Sequence, residues 1–164
     1  MKDRKYELVV SCITENQNSL YRLALSYAKE REGALDIVQN TVLKALKSYT
    51  GLRDEAAVRS WLFRILVNEA VRYIDKNKNE IPSSDEAFPE PEYREKAFEN
   101  DAGEVYEAVM GLVPELRTIV ILRYYEELSL SEIAEATGLN LNTVKTRLYT
   151  AHRRLKEKLE EVEI

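Results

Sequence analysis

The sequence predicts an all-α protein of two small helical domains joined by an acidic, flexible linker. Apolar residues recur with the helical period of about 3.6 residues on both sides of the chain's middle. No segment alternates apolar and polar residues for long enough to indicate a sheet. Prolines and acidic residues concentrate in one central segment. We place the first domain at residues 1–78, the linker at 79–103 and the second domain at 104–164.

Composition restricts the function classes. The chain is 45% hydrophobic and 32% charged with five glycines and four prolines, which is typical of a globular, helix-rich protein. One cysteine, Cys12, and one histidine, His152, exclude an internal disulfide and a Cys/His zinc cluster. No apolar run matches a signal-peptide core or a membrane span. We therefore expect a cytoplasmic protein with no cofactor, no metal and no membrane insertion of its own.

Three helices are predicted in the first domain. The third runs from about Glu55 to Asn77 and follows a turn-rich stretch at 48–54. The spacing of Trp61 with Leu62 and Ile65 favours core packing over stacking on an unpaired base, although aromatic rings do serve as such platforms. The apolar positions that define the three helices are Leu20, Leu23, Ala24 and Tyr27; Leu35, Val38, Val42, Leu43 and Leu46; and Trp61, Leu62, Ile65, Leu66, Val71 and Ile74.

The linker prediction depends on composition. Pro82, Pro89 and Pro91 are three of the four prolines, and acidic residues strongly outnumber basic ones between Glu80 and Glu104. Such acidity either keeps a linker soluble and extended or has a function of its own, and the sequence leaves both open.

The second domain contains a predicted helix-turn-helix from Leu128 to Leu159. A helix of about three turns begins at Pro114 and places Leu116, Ile119, Val120 and Tyr124 on one side. Ser129 and Glu132 then form a capping-box pattern, and Gly138 supplies the left-handed residue that ends the short helix. Asn140 caps the next helix. The spacing of Ala134, Gly138 and Val144 fits two helices that cross steeply.

The second helix of this motif carries a cationic outer face. Its side chains can bond base edges and phosphates in a major groove. The alternative is an ordinary solvated face, but such faces usually carry balanced charge. His152 has the pattern of an ordinary surface histidine. We call this set the reading face; it comprises Asn142, Thr143, Lys145, Thr146, Arg147, Tyr149 and Arg153.

The third helix of the first domain has a polar stripe of its own. Arg64, Asn68, Arg72 and Lys76 recur every four residues and therefore share one side of the helix. This polar stripe could follow a nucleic-acid backbone, although charged outer faces are common on helices. The sequence alone does not decide between these readings.

Three motifs in order resemble the extracytoplasmic-function sigma factors of bacterial RNA polymerase. They are Asp36 to Leu46 (DIVQNTVLKAL), Arg59 to Ile65 (RSWLFRI) with Asn68, and Leu112 to Arg117 (LVPELR) leading into the helix-turn-helix. The resemblance extends from about Leu20 to Leu159. It implies that the first domain corresponds to sigma region 2 and the second to region 4.

By position, the resemblance assigns three further sets of residues. The first set would dock on the clamp helices of the largest polymerase subunit and comprises Asp36, Gln39, Asn40 and Lys44. In this region Asn40 stands where the family usually has an acidic residue, and Val42 stands where it usually has an aromatic one. The loop from Tyr49 to Val58, with Tyr49 and Arg53, would capture a base flipped from the minus-10 element. The polar stripe would lie along that element, and the reading face would contact the minus-35 element.

The resemblance therefore predicts a transcription initiation factor without enzymatic activity. Its expected partners are core RNA polymerase, through the clamp helices and the flap, promoter DNA, and an anti-sigma factor that covers both DNA-binding domains. The rival interpretation is a stand-alone helix-turn-helix regulator. A net charge of −5 disfavours the rival, because such a regulator must supply its own phosphate contacts whereas a polymerase-bound factor need not.

Overall fold

The computed structural model describes residues 3–77 and 103–163. Within these ranges the regular elements are helical and no strand is present, which confirms the all-α prediction. The linker predicted at 79–103 lies, except for Gly103, outside the described residues. The helices are α1 Arg4–Glu15, α2 Gln17–Ala28, α3 Arg31–Lys47, α4 Val58–Asn77, α5 Gly103–Met110, α6 Pro114–Val120, α7 Leu130–Thr137 and α8 Leu141–Glu163.

Helices α2, α3 and α4 form the core of the first domain, and α1 packs against α3 and α4. Leu23, Leu62 and Phe63 are fully buried there. At Gly33 the hydroxyl end of the Tyr73 side chain and the Ala28 side chain lie so close that an added Cβ would clash with both. The apolar pattern did not predict α1, which begins at a cap formed by the Asp3 carboxylate and the amides of the next turn.

The connection between α3 and α4 contains two short 3₁₀ turns, Tyr49–Gly51 and Glu55–Ala57. The Asp54 side chain accepts a hydrogen bond from the Ala56 amide at 3.0 Å and so starts the second turn. The helix predicted from Glu55 to Asn77 is therefore present, but its first turn is 3₁₀ and its α-helical part begins at Val58.

In the second domain, α8 packs on α5, α6 and α7. Arg117 is buried, and its Nη1 donates to the carbonyl oxygens of Met110 and Leu112, which are left without helical partners where α5 ends. Burial lowers the pKa of this guanidinium. After α6 the chain continues as a π-helical turn, Ile121–Tyr125.

Two sequence predictions about buried faces are wrong. Tyr124 was placed on the apolar side of its helix but is 53% exposed, because the wider π turn breaks the α-helical spacing that would align it with Val120. Leu35, Leu43 and Val71 also lie outside the core. Helices α2 and α4 pack closely on α3, so the positions buried there carry mostly smaller side chains. These buried positions are Gly33, Ala34, Ile37, Thr41 and Ala45.

The two domains pack against each other. The main contact is between α4 and α7, and a smaller one joins α2 to α6. The buried Tyr27 hydroxyl of α2 hydrogen bonds the Thr118 hydroxyl of α6, and burial raises the pKa of Tyr27. The sequence had predicted two domains connected by a linker, and it contained no sign of this interface.

Candidate nucleic-acid interface

The turn of the helix-turn-helix has the geometry that its residues predict. The Ser129 hydroxyl accepts from the Glu132 amide at 3.1 Å, and the Glu132 carboxylate accepts from the Ser129 amide at 2.9 Å. Gly138 ends α7 with a φ of 75°. Asn140 then caps α8, because its side-chain oxygen accepts from the Thr143 amide at 2.8 Å. The capping box, the left-handed glycine and the N-cap are therefore all confirmed.

Helix α8 divides into a buried side and the reading face. Val144 and Ala151 are fully buried, whereas Tyr149 on the opposite side is 71% exposed. Thr143 and Arg147 lie at the edge and are half-buried, and the other reading-face residues are exposed. No acidic residue occurs from Leu141 to Lys156. The first turns of α8 therefore present cationic and hydroxyl groups beside a positive helix N-terminus.

The polar stripe of α4 is exposed along its length, and one end of it contacts the second domain. Asn68, Arg72 and Lys76 are exposed. Arg64, at the other end, donates from Nη1 to the Glu135 carbonyl oxygen of α7 at 3.4 Å. Trp61 is half-buried and packs against the core, as its spacing predicts.

The loop before α4 packs against α1. The Tyr49 ring meets the Tyr6 ring edge to face, with centroids 5.2 Å apart. A hydrogen bond between Tyr49 and Asp3 raises the pKa of the tyrosine and lowers that of the carboxyl. Arg53 is exposed. The structure thus places Tyr49 beside the first turns of α1.

The residues predicted to dock on polymerase share one surface. Asp36, Gln39, Asn40 and Lys44 are all exposed on α3. Three of them line a groove between α3 and α4, which also includes Arg72 and Lys76 of the polar stripe. Sequence reasoning missed the apolar part of this surface, Leu35 and Leu43, which are 45% and 52% exposed.

The groove contains a buried acid. Glu69 is 6% exposed, and its Oε1 lies 3.4 Å from Lys44 Nζ and 3.5 Å from Arg72 Nη1. This carboxylate therefore holds one residue of the predicted polymerase surface and one of the polar stripe in place. Sequence reasoning did not identify it, because an isolated acid among cations has no periodic signature.

The comparisons with known proteins agree with this geometry. Residues 12–80 match the family model Sigma-70 region 2, and residues 102–155 match Sigma-70, region 4. The RNA polymerase sigma factor SigV of Bacillus subtilis is 43% identical over 146 residues, covering 88% of this chain and 86% of SigV. The chain belongs to the extracytoplasmic-function sigma factors.

Two further comparisons extend this assignment. The ECF RNA polymerase sigma factor SigM of Bacillus subtilis is 30% identical to this sigma factor and covers 85% of it, with 87% of SigM matched. The fold resembles that of the sigma factor RpoE, solved with the anti-sigma factor NepR from Bartonella quintana. The TM-score is 0.71 with 23% identity, over 90% of this chain and 94% of the other.

The family assignment decides between the two functions left by the sequence. This sigma factor is a promoter-specific transcription initiation factor and not a stand-alone regulator. No helix in the described part of the chain has the length and apolar character needed to cross a membrane.

The sigma factor also has three residues at its domain interface that sequence reasoning did not single out as functional. Glu126, after the π turn, is 3% exposed and lies between Arg22 of α2 and Arg59 of α4. Arg59 belongs to a motif used for the family resemblance, but nothing in the sequence indicated its partner. Near the opposite side of the second domain, the exposed His152 hydrogen bonds the Tyr124 hydroxyl.

Proposed function

We propose that this sigma factor brings core RNA polymerase to promoters by contacting it through α3 and by using two separate surfaces for DNA. The reading face of α8 contacts the minus-35 element in duplex form. The polar stripe of α4 and the loop from Tyr49 to Val58 contact the minus-10 element. The observation that carries the proposal is the acid-free reading face at the start of a capped, exposed helix.

The reading face suits a major groove. A helix fits that groove, and the N-terminal residues of a recognition helix reach the base edges. Asn142, Thr146 and Tyr149 project from the exposed side of α8, and Arg153 follows one turn later. The Thr146 hydroxyl already donates to the Asn142 carbonyl oxygen at 3.0 Å, so it remains available as an acceptor.

The polar stripe suits an unpaired strand. Asn68, Arg72 and Lys76 provide an amide and two cations along roughly two turns of α4. A single strand is bound by a cationic track together with aromatic platforms. Tyr49, half-buried in the loop before α4, is the aromatic group that we assign as a platform for this strand. We assign Arg53, in the same loop as Tyr49, to the same strand.

The α3 surface suits a protein partner. Leu35 and Leu43 are large apolar side chains left in water, and they flank the polar residues Asp36, Gln39 and Asn40. Apolar groups ringed by polar ones are typical of protein interfaces. We propose that this surface docks on the clamp helices, with Lys44 at its edge, and that the second domain contacts the flap. Asn40 and Val42 are expected to change the affinity of docking and not its position.

Polymerase binding also explains how a chain with a net negative charge can act on DNA. A chain with a net charge of −5 has little long-range attraction for DNA. When polymerase holds both domains, each weak contact acts at a high effective concentration. We also propose that the sigma factor works in the cytoplasm and that it contributes binding without covalent chemistry. We also propose an anti-sigma partner, since the similar RpoE was solved with one.

The test is promoter-specific run-off transcription with purified core polymerase. The double variant R147A/R153A should reduce transcript from a cognate promoter by roughly tenfold or more, since one base or phosphate contact contributes about 1–3 kcal/mol. Binding to core polymerase should persist. The matched control is K156A/K158A, which removes the same charge from the distal part of the same helix.

Two results would contradict the proposal. If both double variants lose transcription equally, general charge and not the reading face recognises the promoter. If the wild-type chain fails to co-purify with core polymerase yet binds a short duplex tightly, the α3 surface does not dock.

A further inference from the structure

The loop from Tyr49 to Val58, to which we assign the minus-10 element, has little internal structure to hold its shape. Its regular parts are two 3₁₀ turns of three residues each. Within the loop only Leu52 is buried. A loop that must be ordered when it binds loses affinity through the conformational entropy of that ordering. The contacts that keep this loop ordered therefore come largely from its neighbours.

The first turn of α1 contacts both 3₁₀ turns of the loop. The Tyr6 and Tyr49 ring centroids are 5.2 Å apart and the ring planes are inclined at 78°, which is an edge-to-face pair. The Tyr49 hydroxyl donates a hydrogen bond to the Asp3 carboxylate. At the second turn, Arg4 Nη2 lies 3.3 Å from Glu55 Oε2. One end of α1 thus contacts the loop near its beginning and near its end.

These contacts differ in strength. The Arg4 and Glu55 side chains are 86% and 42% exposed, and an ion pair so open to solvent contributes little. The ring pair contributes more, because edge-to-face rings attract each other in addition to burying apolar surface. The Asp3 carboxylate is itself fixed, since it caps α1 by accepting from two amides of the next turn at 3.0 and 3.3 Å. We therefore attribute the position of the Tyr49 ring to Tyr6 and Asp3.

Tyr6 is not needed to attach α1 to the domain. It is 41% exposed, whereas the attachment of α1 depends on its buried residues Val9, Cys12 and Ile13. Asp3 and Tyr6 also precede the part of the chain that matches the Sigma-70 region 2 model, which begins at residue 12. Their contacts with the loop are therefore a feature of this chain beyond the matched region.

We propose that Tyr6 and Asp3 are positioning residues for minus-10 recognition, which hold the Tyr49 ring where it stacks on an unpaired base. Because the role of Tyr49 as a platform belongs to the proposed function, the positioning role rests on it too. Tyr49 is half-buried, so part of its ring remains open to a base. A fixed ring loses little freedom when a base stacks on it, which favours binding. Helix α1 thereby contributes to promoter selection without contacting DNA.

The experiment is run-off transcription from a cognate promoter by core polymerase saturated with full-length variants. Tyr49→Ala should lower the transcript about tenfold, which is the order of one lost stacking contact. Tyr6→Ala should lower it about threefold, because a loosened ring still stacks part of the time. Tyr6→Phe keeps the ring pair and should restore the wild-type level. Val10→Ala is the matched control, since it removes an exposed apolar side chain from the next turn of α1.

A double-mutant cycle distinguishes positioning from direct contact. If Tyr6 acts only through Tyr49, Tyr6→Ala should have no further effect in the Tyr49→Ala background. Asp3→Ser keeps a residue that caps helices well but removes the carboxylate that bonds Tyr49. It should lower the transcript about twofold, again only while Tyr49 is present. Co-purification with core polymerase should be equal for all variants, and circular dichroism verifies that each retains its helices.

The outcomes separate the positioning role from the proposed function. If Tyr49→Ala loses transcript but Tyr6→Ala behaves like Val10→Ala, Tyr6 does not position the ring. If Tyr6→Ala still lowers the transcript in the Tyr49→Ala background, Tyr6 acts independently of Tyr49 and the positioning role is wrong. If Tyr49→Ala has no effect, Tyr49 is not a platform and the positioning role fails with it, whereas R147A/R153A still tests the reading face.

Discussion

The reading face of α8 and the polar stripe of α4 have similar sequence patterns but different surroundings. Both are rows of basic and amide side chains opposite a buried apolar side. The reading face is exposed along most of its length, whereas Arg64 at the start of the stripe is held by α7. Periodicity thus shows which residues point away from a helix's own core. It does not show whether another domain contacts them.

Charge distinguishes the two surfaces further. The reading face lies in a part of α8, from Leu141 to Lys156, that contains no acidic residue. The stripe has acids within reach: Glu69 pairs with Arg72, and Glu135 bonds Ser60 beside Arg64. Acidic residues of the same chain therefore contact the stripe, whereas the acid-free part of α8 offers no such partner to the reading face.

The largest expected effect separates the two sides of α4. Phe63→Ala should lower the free energy of unfolding by about 3–5 kcal/mol, because it empties a fully buried aromatic site. Asn68→Ala, on the exposed stripe, should change it by less than about 0.5 kcal/mol. Urea denaturation followed by circular dichroism measures both. A large loss in Asn68→Ala would show that the stripe is structural and not a binding surface.

A smaller effect measures how closely the stripe touches the helix-turn-helix. Gly138→Ala should destabilise by about 1–2 kcal/mol because its φ of 75° is left-handed. Contact of the new methyl group with Arg64 adds to this strain. Gly51→Ala is the control, since a Cβ there meets nothing within 4 Å.

A double-mutant cycle then isolates the contact. If Arg64→Ala removes part of the Gly138→Ala penalty, the stripe and the turn are in contact in solution. Additive effects would mean that the penalty is backbone strain alone and that Arg64 does not contact the turn.

The smallest effect tests α7, the helix that contacts Arg64 of the stripe. Ser129→Ala removes the capping box of α7 and should lower stability by about 1 kcal/mol. Ser131→Ala, exposed in the same first turn, should change it little. Thermal unfolding compares the two variants. Equal melting temperatures for both would mean that the cap does not stabilise α7.

Much of the fold was predictable because it follows from local chemistry. The capping box, the left-handed Gly138 and the Asn140 cap each depend on a few adjacent residues. The positions on α3 and Tyr124 were misjudged because their environments depend on how closely other helices approach and on one π turn. Helix α1 was missed because its burial is limited to a short apolar set, Val9, Cys12 and Ile13.

The candidate site divides in the same way. The outward direction of the reading face and of the polar stripe follows from helical spacing, whereas the groove between α3 and α4 and the ion pairs of Glu69 join residues far apart in sequence. Such pairs leave no periodic signal, because each partner sits in its own helix among unrelated neighbours.

By itself, the sequence determined the all-α class, the helix-turn-helix and the two cationic surfaces, since helix period and capping act within a few residues. The tertiary structure alone decided that the domains pack together and that Glu126 lies between Arg22 and Arg59. The reason is physical: a buried ion pair forms where two folded surfaces bring opposite charges together, and Glu126 is 104 residues from Arg22 and 67 residues from Arg59 along the chain.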